Sequence, residues 1–192
     1  MGNPRPQLQM LWPEDRLDEP PELVLQPGYS LRCFDPVRDL KDYLSLVHEA
    51  GFTDFDEQRV QDCIQRMLPN GFFVAVHEPD GELVATAMTT HNPTPLHPYA
   101  GELSWVAGRP AHAGHGLGMT VCAAVVRRYL SAGYERIYLL TDDARLPALK
   151  TYLKLGFVPF LCDEGLPERW KAIYEKLAWP YTPDAWPSTL GS

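Results

Sequence analysis

The chain has 192 residues, 45% of them hydrophobic and 22% charged, a composition that fits one globular domain with a sizeable core. A formal net charge of −8 argues against a nucleic-acid binder, because such proteins face phosphates with clustered Lys and Arg. The four cysteines form no Cys-x-x-Cys pair, so the sequence indicates neither a zinc site nor a disulfide-rich secreted scaffold.

The amino-terminal end carries no sign of a targeting segment. Its first residues lack the apolar core of a signal peptide, and no run in the chain approaches membrane-spanning length. We therefore expect a cytoplasmic protein with free thiols, no membrane partner and no nucleic-acid partner.

Residues 1–28 are rich in proline, which removes backbone donors, and this composition predicts an irregular arm. Residues 29–34 alternate weakly and are predicted as the first strand. We predict one domain over residues 29–179, followed by a tail over residues 180–192 that is held at most by Trp186. The arm could still dock on the domain through its apolar residues Leu8, Met10, Leu11 and Trp12.

Two amphipathic helices and a hairpin are predicted next. The helices follow from apolar residues that recur at i, i+3, i+4 and i+7. The hairpin follows from apolar runs at residues 72–77 and 83–90 around an Asp80-Gly81 turn signal. Residues 92–98 hold three prolines and a histidine and are predicted as a loop, either a plain connector or a wall facing a substrate. The two helical stripes are Leu40, Tyr43, Leu44 and Val47, then Val60, Ile64, Met67 and Leu68.

The remaining elements alternate. A strand over residues 103–107 leads through a glycine-rich turn into a helix that ends near residue 131, and residues 136–141 are predicted as a buried strand. A helix over residues 146–155 and a strand over residues 157–161 follow, and a final strand is assigned to residues 173–177. Because the hairpin is antiparallel while strand–helix–strand favours parallel pairing, the fold class is a single α/β (α+β) domain with a mixed sheet.

The glycine-rich turn suits a phosphate group. Glycine at Gly114, Gly116 and Gly118 lets the backbone take positive φ and approach a ligand, while the start of the helix adds unpaired N–H groups. A Rossmann motif fails because Met119 stands where it needs glycine, and the P-loop lysine is absent. The alternative is a helix start that uses its glycines only for turning.

The order of elements, this turn and the closing Tyr152-x-x-x-Gly156-Phe157 resemble the GNAT superfamily of acyl-CoA-dependent N-acetyltransferases. The resemblance covers about residues 29–179 and implies a mixed, mostly antiparallel central sheet flanked by helices. It also implies acetyl-CoA as cosubstrate and a primary amine, on a small molecule or a peptide, as acceptor. A homodimer is compatible with it.

The resemblance implies which residues hold the coenzyme. The main chain beside Trp105 would bond the pantetheine arm, and the turn would hold the pyrophosphate. Ala113 departs from the Arg or Gln usual in the family, and His115 or Arg109 could compensate in part. Arg145 stands where many members carry an asparagine that contacts pantetheine. The expected coenzyme-binding residues are Trp105, Val106, Ala107, Gly108, Ala113, Gly114, His115, Gly116, Leu117, Gly118, Met119 and Arg145.

Acetyl transfer needs a base for the amine and an acid for the departing thiolate. By resemblance Tyr152 is the acid, since a phenol with a pKa of about 10 stays protonated at neutral pH. By resemblance Glu102 is the base, acting through a bound water. A packed core tyrosine and a solvated strand-edge glutamate are the respective alternatives. Asp142 and Asp143 are second candidates for the base, although acids after a strand often cap the next helix.

The histidines add little to this chemistry. His91 and His97 lie on the expected acceptor side, but loop histidines are usually just solvated. His112 and His115 have the spacing of a metal pair, yet no third ligand is apparent, so no metal is predicted.

These residues predict an acetyl-CoA-dependent N-acetyltransferase that works by direct attack in a ternary complex. Cys122 lies inside a helical stripe, which disfavours an acyl-cysteine intermediate. The acidic residues 54–57 hint at a cationic amine. Two alternatives stay open: a non-catalytic module that binds or senses acyl-CoA, and a partner-binding protein with a dead pocket.

Overall fold

The computed structural model describes residues 6–189, and within them one sheet is flanked by helices. The strands are β1 Leu8–Leu11, β2 Tyr29–Cys33, β3 Phe72–His77, β4 Leu83–His91, β5 Gly101–Gly108, β6 Ile137–Thr141 and β7 Val158–Pro159. The α-helices are α1 Pro36–Glu49, α2 Glu57–Arg66, α3 Leu117–Ser131, α4 Leu146–Leu155 and α5 Leu166–Leu177. None of the helices over the described residues is long and apolar enough to cross a membrane.

The sheet is mixed and mostly antiparallel, as the resemblance implied. Its strand order is β2-β3-β4-β5-β6-β1-β7, and the pairs from β2 to β5 are antiparallel hairpins or neighbours. Only β5 and β6 run parallel among the described strands, and α3 makes the crossover between them. The predicted single α/β (α+β) domain with this sheet is confirmed.

Each face of the sheet carries its own layer of helices. Alternation along β3 sends Val74 and Val76 to the layer of α1 and α2, while Ala75 faces α3. Tyr43 and Val60 anchor the first layer as fully buried side chains on the two predicted helical stripes. The larger layer contains α3, α4 and α5. Helix α3, which follows the glycine-rich turn, therefore shares one core with α4.

The prediction of an irregular amino-terminal arm is wrong for residues 8–11. These residues form β1, which lies inside the sheet and pairs antiparallel with both β6 and β7. Met10 is fully buried and Trp12 packs edge-on against Phe157 at 5.4 Å. Proline content describes the segment as a whole, whereas the apolar run that forms the strand contains no proline and keeps all of its donors.

The predicted final strand over residues 173–177 is also wrong, because these residues end helix α5. Buried side chains at Leu166, Trp170, Ile173 and Tyr174 follow helical spacing, with a proline in the first turn. The predicted strand over residues 157–161 shortens to β7. Trp186 packs against Tyr174 at a ring distance of 5.1 Å, but it does not hold the tail alone: the Leu161 amide donates to the Pro187 carbonyl, and Tyr181 also packs on Tyr174.

We expect Met10→Ala to lower the free energy of unfolding by about 2–3 kcal/mol, because it deletes a buried side chain from an inner strand. Leu25→Ala is the matched control, since Leu25 belongs to the same proline-rich segment but is 38% exposed. Urea unfolding of both variants checks this. Equal stability of Met10→Ala and wild type would show that residues 8–11 are not part of the sheet.

Candidate active site

An opening between β5 and β6 is the central feature of the site. The two strands pair only as far as Leu103 and Leu139, although β5 continues to Gly108 on its other edge. At the opening Trp105 has φ of 51°, in the left-handed region, and the pairing with β4 shifts register. This irregularity turns β5 away from β6. Within residues 6–189, the β6-facing edge of β5 has no strand partner beyond Leu103.

A cavity of about 170 Å³ occupies this opening. Its walls come from the β5 and β6 strands, the start of α4, the loop after α1 and the residue before β1. The polar and aromatic residues that line it are Gln7, Phe52, Glu102, Ser104, Trp105, Thr141, Asp142, Arg145 and Tyr152.

A larger groove of about 440 Å³ lies on the other side of the opening. The end of β5, the glycine-rich turn and one side of α4 form its walls. Nine of the twelve residues expected to bind coenzyme line this groove; Trp105 and Arg145 line the cavity instead, and His115 lines neither. The nine are Val106, Ala107, Gly108, Ala113, Gly114, Gly116, Leu117, Gly118 and Met119.

The turn presents a run of unpaired backbone donors to the groove. Gly114 and Gly116 have φ of 87° and 74°, which glycine adopts without steric cost, and Gly116 precedes α3 with no capping side chain. The first N–H groups of α3 have no intrahelical acceptor. Together with the positive end of the helix, these donors make the turn suited to bind an anion such as pyrophosphate.

Arg109, which could compensate in part for Ala113, lines the groove beside the turn. It is buried, and its guanidinium donates to the Leu83 carbonyl and pairs with Glu49 and Asp42, the latter at 2.6 Å. Carboxylates of α1 thus already neutralise this charge, and the compensation stays a prediction. The position of Arg109 next to the turn in the sequence does not indicate these partners, because they come from α1.

His112 and His115 lie beside the turn in an aromatic cluster. The Tyr29 hydroxyl is 3.0 Å from Nδ1 of His112, and the His115 ring centroid is 5.3 Å from that of Tyr29. Nowhere in the described part of the chain are three or more His, Cys, Asp or Glu residues grouped so that they could hold a metal ion.

Tyr152 lies where the cavity and the groove meet, because it lines both. Its side chain comes from α4 and is 5% exposed. Burial raises the pKa of the phenol well above its usual value, so the hydroxyl keeps its proton throughout the physiological range. Over residues 6–189 this hydroxyl makes no hydrogen bond to the protein. Its proton is therefore available to a bound group.

Glu102 lines the same cavity from β5, and two neighbours orient its carboxylate. The Asn92 side-chain amide donates to it at 2.7 Å, and the Tyr138 hydroxyl lies 3.2 Å from the same oxygen. Burial raises the pKa of Glu102, while these bonds oppose the rise. A carboxylate with a raised pKa is a stronger base at neutral pH.

The two aspartates after β6 have different surroundings. Asp142 lines the cavity, accepts from the Gln7 amide at 3.2 Å and lies 3.3 Å from Nε of Arg145. Asp143 is paired with Arg169 of α5 at 2.6 Å and does not line the cavity. Of the two, only Asp142 shares the cavity with Glu102.

The expectation that His97 is a solvated loop residue is wrong. His97 is 1% exposed and stacks on Tyr138 at a ring distance of 4.2 Å. Burial and the charge of Arg136 lower its pKa to about 4, so the ring is neutral and its Nε2 lies 2.7 Å from the Gln9 amide oxygen. His97 thus packs against the ring of Tyr138, and the Tyr138 hydroxyl in turn contacts Glu102.

Asn92, Tyr138 and Gln7 are site residues that the sequence did not reveal. Tyr138 is paired with Glu102 in the parallel register of β5 and β6, so a predicted register would have found it. Cys122 behaves as predicted: it is fully buried, and burial raises the pKa of its thiol. A buried protonated thiol is a poor nucleophile.

Known proteins share this architecture. The model of the Acetyltransferase (GNAT) family matches residues 37–157. The mycothiol acetyltransferase of Thermomonospora curvata is 31% identical over 172 residues, which cover 85% of this chain and 55% of that protein. That of Amycolatopsis mediterranei is 34% identical over 149 residues, covering 71% of this chain and 48% of the relative. The chain spans about half the length of these curated relatives.

A solved structure agrees with the fold. The GCN5-related N-acetyltransferase from Sphaerobacter thermophilus superposes with a TM-score of 0.62 at 23% identity. The match covers 81% of this chain and 49% of that one. At this identity the likeness concerns the fold.

Proposed function

The chain belongs to the GNAT acetyltransferase family, and on this basis we propose that it transfers an acetyl group from acetyl-CoA to a primary amine. The observation that carries the proposal is the position of Tyr152 at the junction of the groove and the cavity. A thioester at this junction would have its coenzyme portion in the groove and its acetyl group beside the cavity. The amine would then attack directly, in a ternary complex.

The groove supplies contacts for the coenzyme. Backbone donors of the glycine-rich turn and the start of α3 would hold the pyrophosphate. The free edge of β5, at residues 105–108, would bond the pantetheine amides as a further strand does. These contacts depend on backbone groups, so the lack of a long side chain at Ala113 removes a supplementary contact and leaves the main ones.

The cavity supplies the acid and the base. Glu102 takes a proton from the attacking amine, directly or through a water molecule, and its raised pKa suits this step. Tyr152 gives its proton to the departing sulfur, which leaves as a thiol. The buried Cys122 thiol takes no part, so no acetyl group is carried by the protein.

We expect Gly116→Ala to raise the dissociation constant of CoA by about 5- to 10-fold, because binding must restore a left-handed conformation that disfavours alanine. Gly133→Ala is the matched control: Gly133 also has positive φ, 77°, but it follows α3 at the end away from the groove. Isothermal titration with CoA checks both variants. Equal affinities would show that the turn does not hold the coenzyme.

A thermal-shift titration with CoA and a CoA-release assay on a panel of primary amines test the proposal together. Stabilisation by CoA follows from binding to the folded state. CoA release that depends on an amine supports transfer. Stabilisation without release would favour the non-catalytic module that binds or senses acyl-CoA. The name of the curated relatives adds mycothiol-related amines to the panel.

A further inference from the structure

Arg145 is fixed at the wall of the cavity by two contacts that leave one edge of its guanidinium unused. Its planar face lies over the Phe52 ring, 4.5 Å from the centroid, and its Nε lies 3.3 Å from Asp142. Asp142 is itself held, because it accepts a hydrogen bond from Gln7. Over the described residues, the terminal Nη1 and Nη2 atoms of Arg145 donate no hydrogen bond to the protein.

Arg145 lines the cavity and is absent from the walls of the groove, so the pantetheine contact that the resemblance implies for it stays a prediction. The charge of Arg145 nevertheless acts on the Tyr152 phenol, whose pKa it lowers against the larger effect of burial. Arg145 and Tyr152 line the same cavity, so the guanidinium lies beside the proposed reaction centre.

The acidic residues 54–57 do not offer a competing charge for a cationic acceptor. Asp54 pairs with Arg59 at 3.4 Å, and Asp56 caps α2 by accepting from the Arg59 amide. None of residues 54–57 lines the cavity, so their charge acts on an acceptor only from a distance. A planar guanidinium with its Nη edge exposed is suited to a carboxylate, which it can bind through two parallel hydrogen bonds.

We propose that Arg145 binds a carboxylate of the acceptor, so that the acceptor is a primary amine that also carries a carboxylate. This inference rests on the proposed function. The amine of such a molecule faces Glu102, and its carboxylate faces Arg145 across the same cavity. Opposite charges at two places on the wall thus orient the acceptor toward the thioester.

The test compares carboxylate-bearing amines with their neutral carboxamides. The probes are glycine and glycinamide, β-alanine and β-alaninamide, phenylalanine and phenylalaninamide, and 4-(aminomethyl)benzoate and its amide. Initial rates are measured for wild type, Arg145→Met, Arg145→Lys and Arg59→Met. Arg59 is the matched control, because it stacks on Trp105 at 5.0 Å without lining the cavity. Comparing each probe between proteins cancels differences in amine basicity.

We expect Arg145→Met to lower kcat/KM for the preferred carboxylate by about 30-fold, the value of a charge-assisted contact, and to change the amide rates by less than about 3-fold. Arg145→Lys should restore part of the loss, Arg59→Met should show no loss, and the KM for acetyl-CoA should stay constant. Thermal unfolding confirms that each variant is folded.

The outcomes separate the inference from the function on which it rests. Acetylation of amines with equal losses for carboxylates and amides would overturn the inference and leave the proposed function intact. A higher KM for acetyl-CoA in Arg145→Met, whichever acceptor is used, would assign Arg145 to the coenzyme and also overturn it. No acetylation of any amine by wild type would overturn the proposed function, and the inference with it.

Discussion

Tyr152→Phe is expected to lower kcat by about 10²- to 10³-fold, the usual contribution of a positioned general acid. The substitution removes one hydroxyl, and within residues 6–189 that hydroxyl has no hydrogen-bond partner to lose. The affinity for CoA should therefore change little, and the free energy of unfolding should stay within about 0.5 kcal/mol of wild type.

Tyr43→Phe is the matched control for this prediction. Tyr43 is fully buried on α1, and over the described part of the chain its hydroxyl likewise has no hydrogen-bond partner, but it lies outside the cavity and the groove. Single-turnover rates and CoA titrations of both variants separate chemistry from binding. A Tyr152→Phe rate equal to that of Tyr43→Phe would remove Tyr152 as the acid and leave it as a core residue.

Glu102→Gln is expected to lower kcat/KM by about 10²- to 10³-fold near neutral pH, because glutamine cannot accept the proton of the amine. Burial raises the pKa of Glu102, and only its ionised form acts as base. The wild-type rate should thus fall as the pH decreases through this raised pKa. In a profile of kcat/KM against pH this decrease is the acidic limb. The Glu102→Gln variant should lose it.

Asp142→Asn tests the other carboxylate of the cavity. It should keep the acidic limb, because Asp142 is engaged with Gln7 and Arg145. Profiles of kcat/KM against pH for the two variants identify the base. Loss of the limb in Asp142→Asn and its retention in Glu102→Gln would assign the base to Asp142.

Local patterns in the sequence were sufficient for most of the elements around the site. The boundaries of β3 and α4 agree with the prediction, because an apolar run between turn signals and a helix closed by glycine are encoded in neighbouring residues. The glycine-rich turn and α3 were predicted for the same reason. Their conformations depend on the φ values that glycine permits and on one apolar stripe.

The errors arose where distant residues decide the structure. Strand β1 exists because Leu8 pairs with Thr141, more than a hundred residues away, and nothing within the segment indicates this partner. Residues 170–179 mix polar and apolar positions and so predict a strand over residues 173–177, whereas Leu166, which lies outside that window, completes the helical stripe with Trp170 and Ile173. Long-range pairing thus explains the missed strand β1, and a window that begins too late explains the helix α5 predicted as a strand.

In the site, too, residues that belong to a motif could be predicted, and residues supplied by distant elements could not. Tyr152 and Glu102 line one cavity, and the sequence indicates both because each belongs to a motif; their roles stay predictions. Their supporting residues could not be predicted, because Asn92 comes from a loop and Tyr138 from the neighbouring parallel strand. The partners of Arg109 on α1 could not be predicted either, because they are remote in sequence.

The most direct test of acetyl transfer at the junction of groove and cavity is product analysis by mass spectrometry. Wild-type protein is incubated with isotopically labelled acetyl-CoA and the amine panel, and small molecules and intact protein are weighed. We predict one labelled N-acetylated amine for each CoA released and no labelled protein. Binding of CoA with no acetylated amine, or labelled protein on the path to product, would contradict direct transfer.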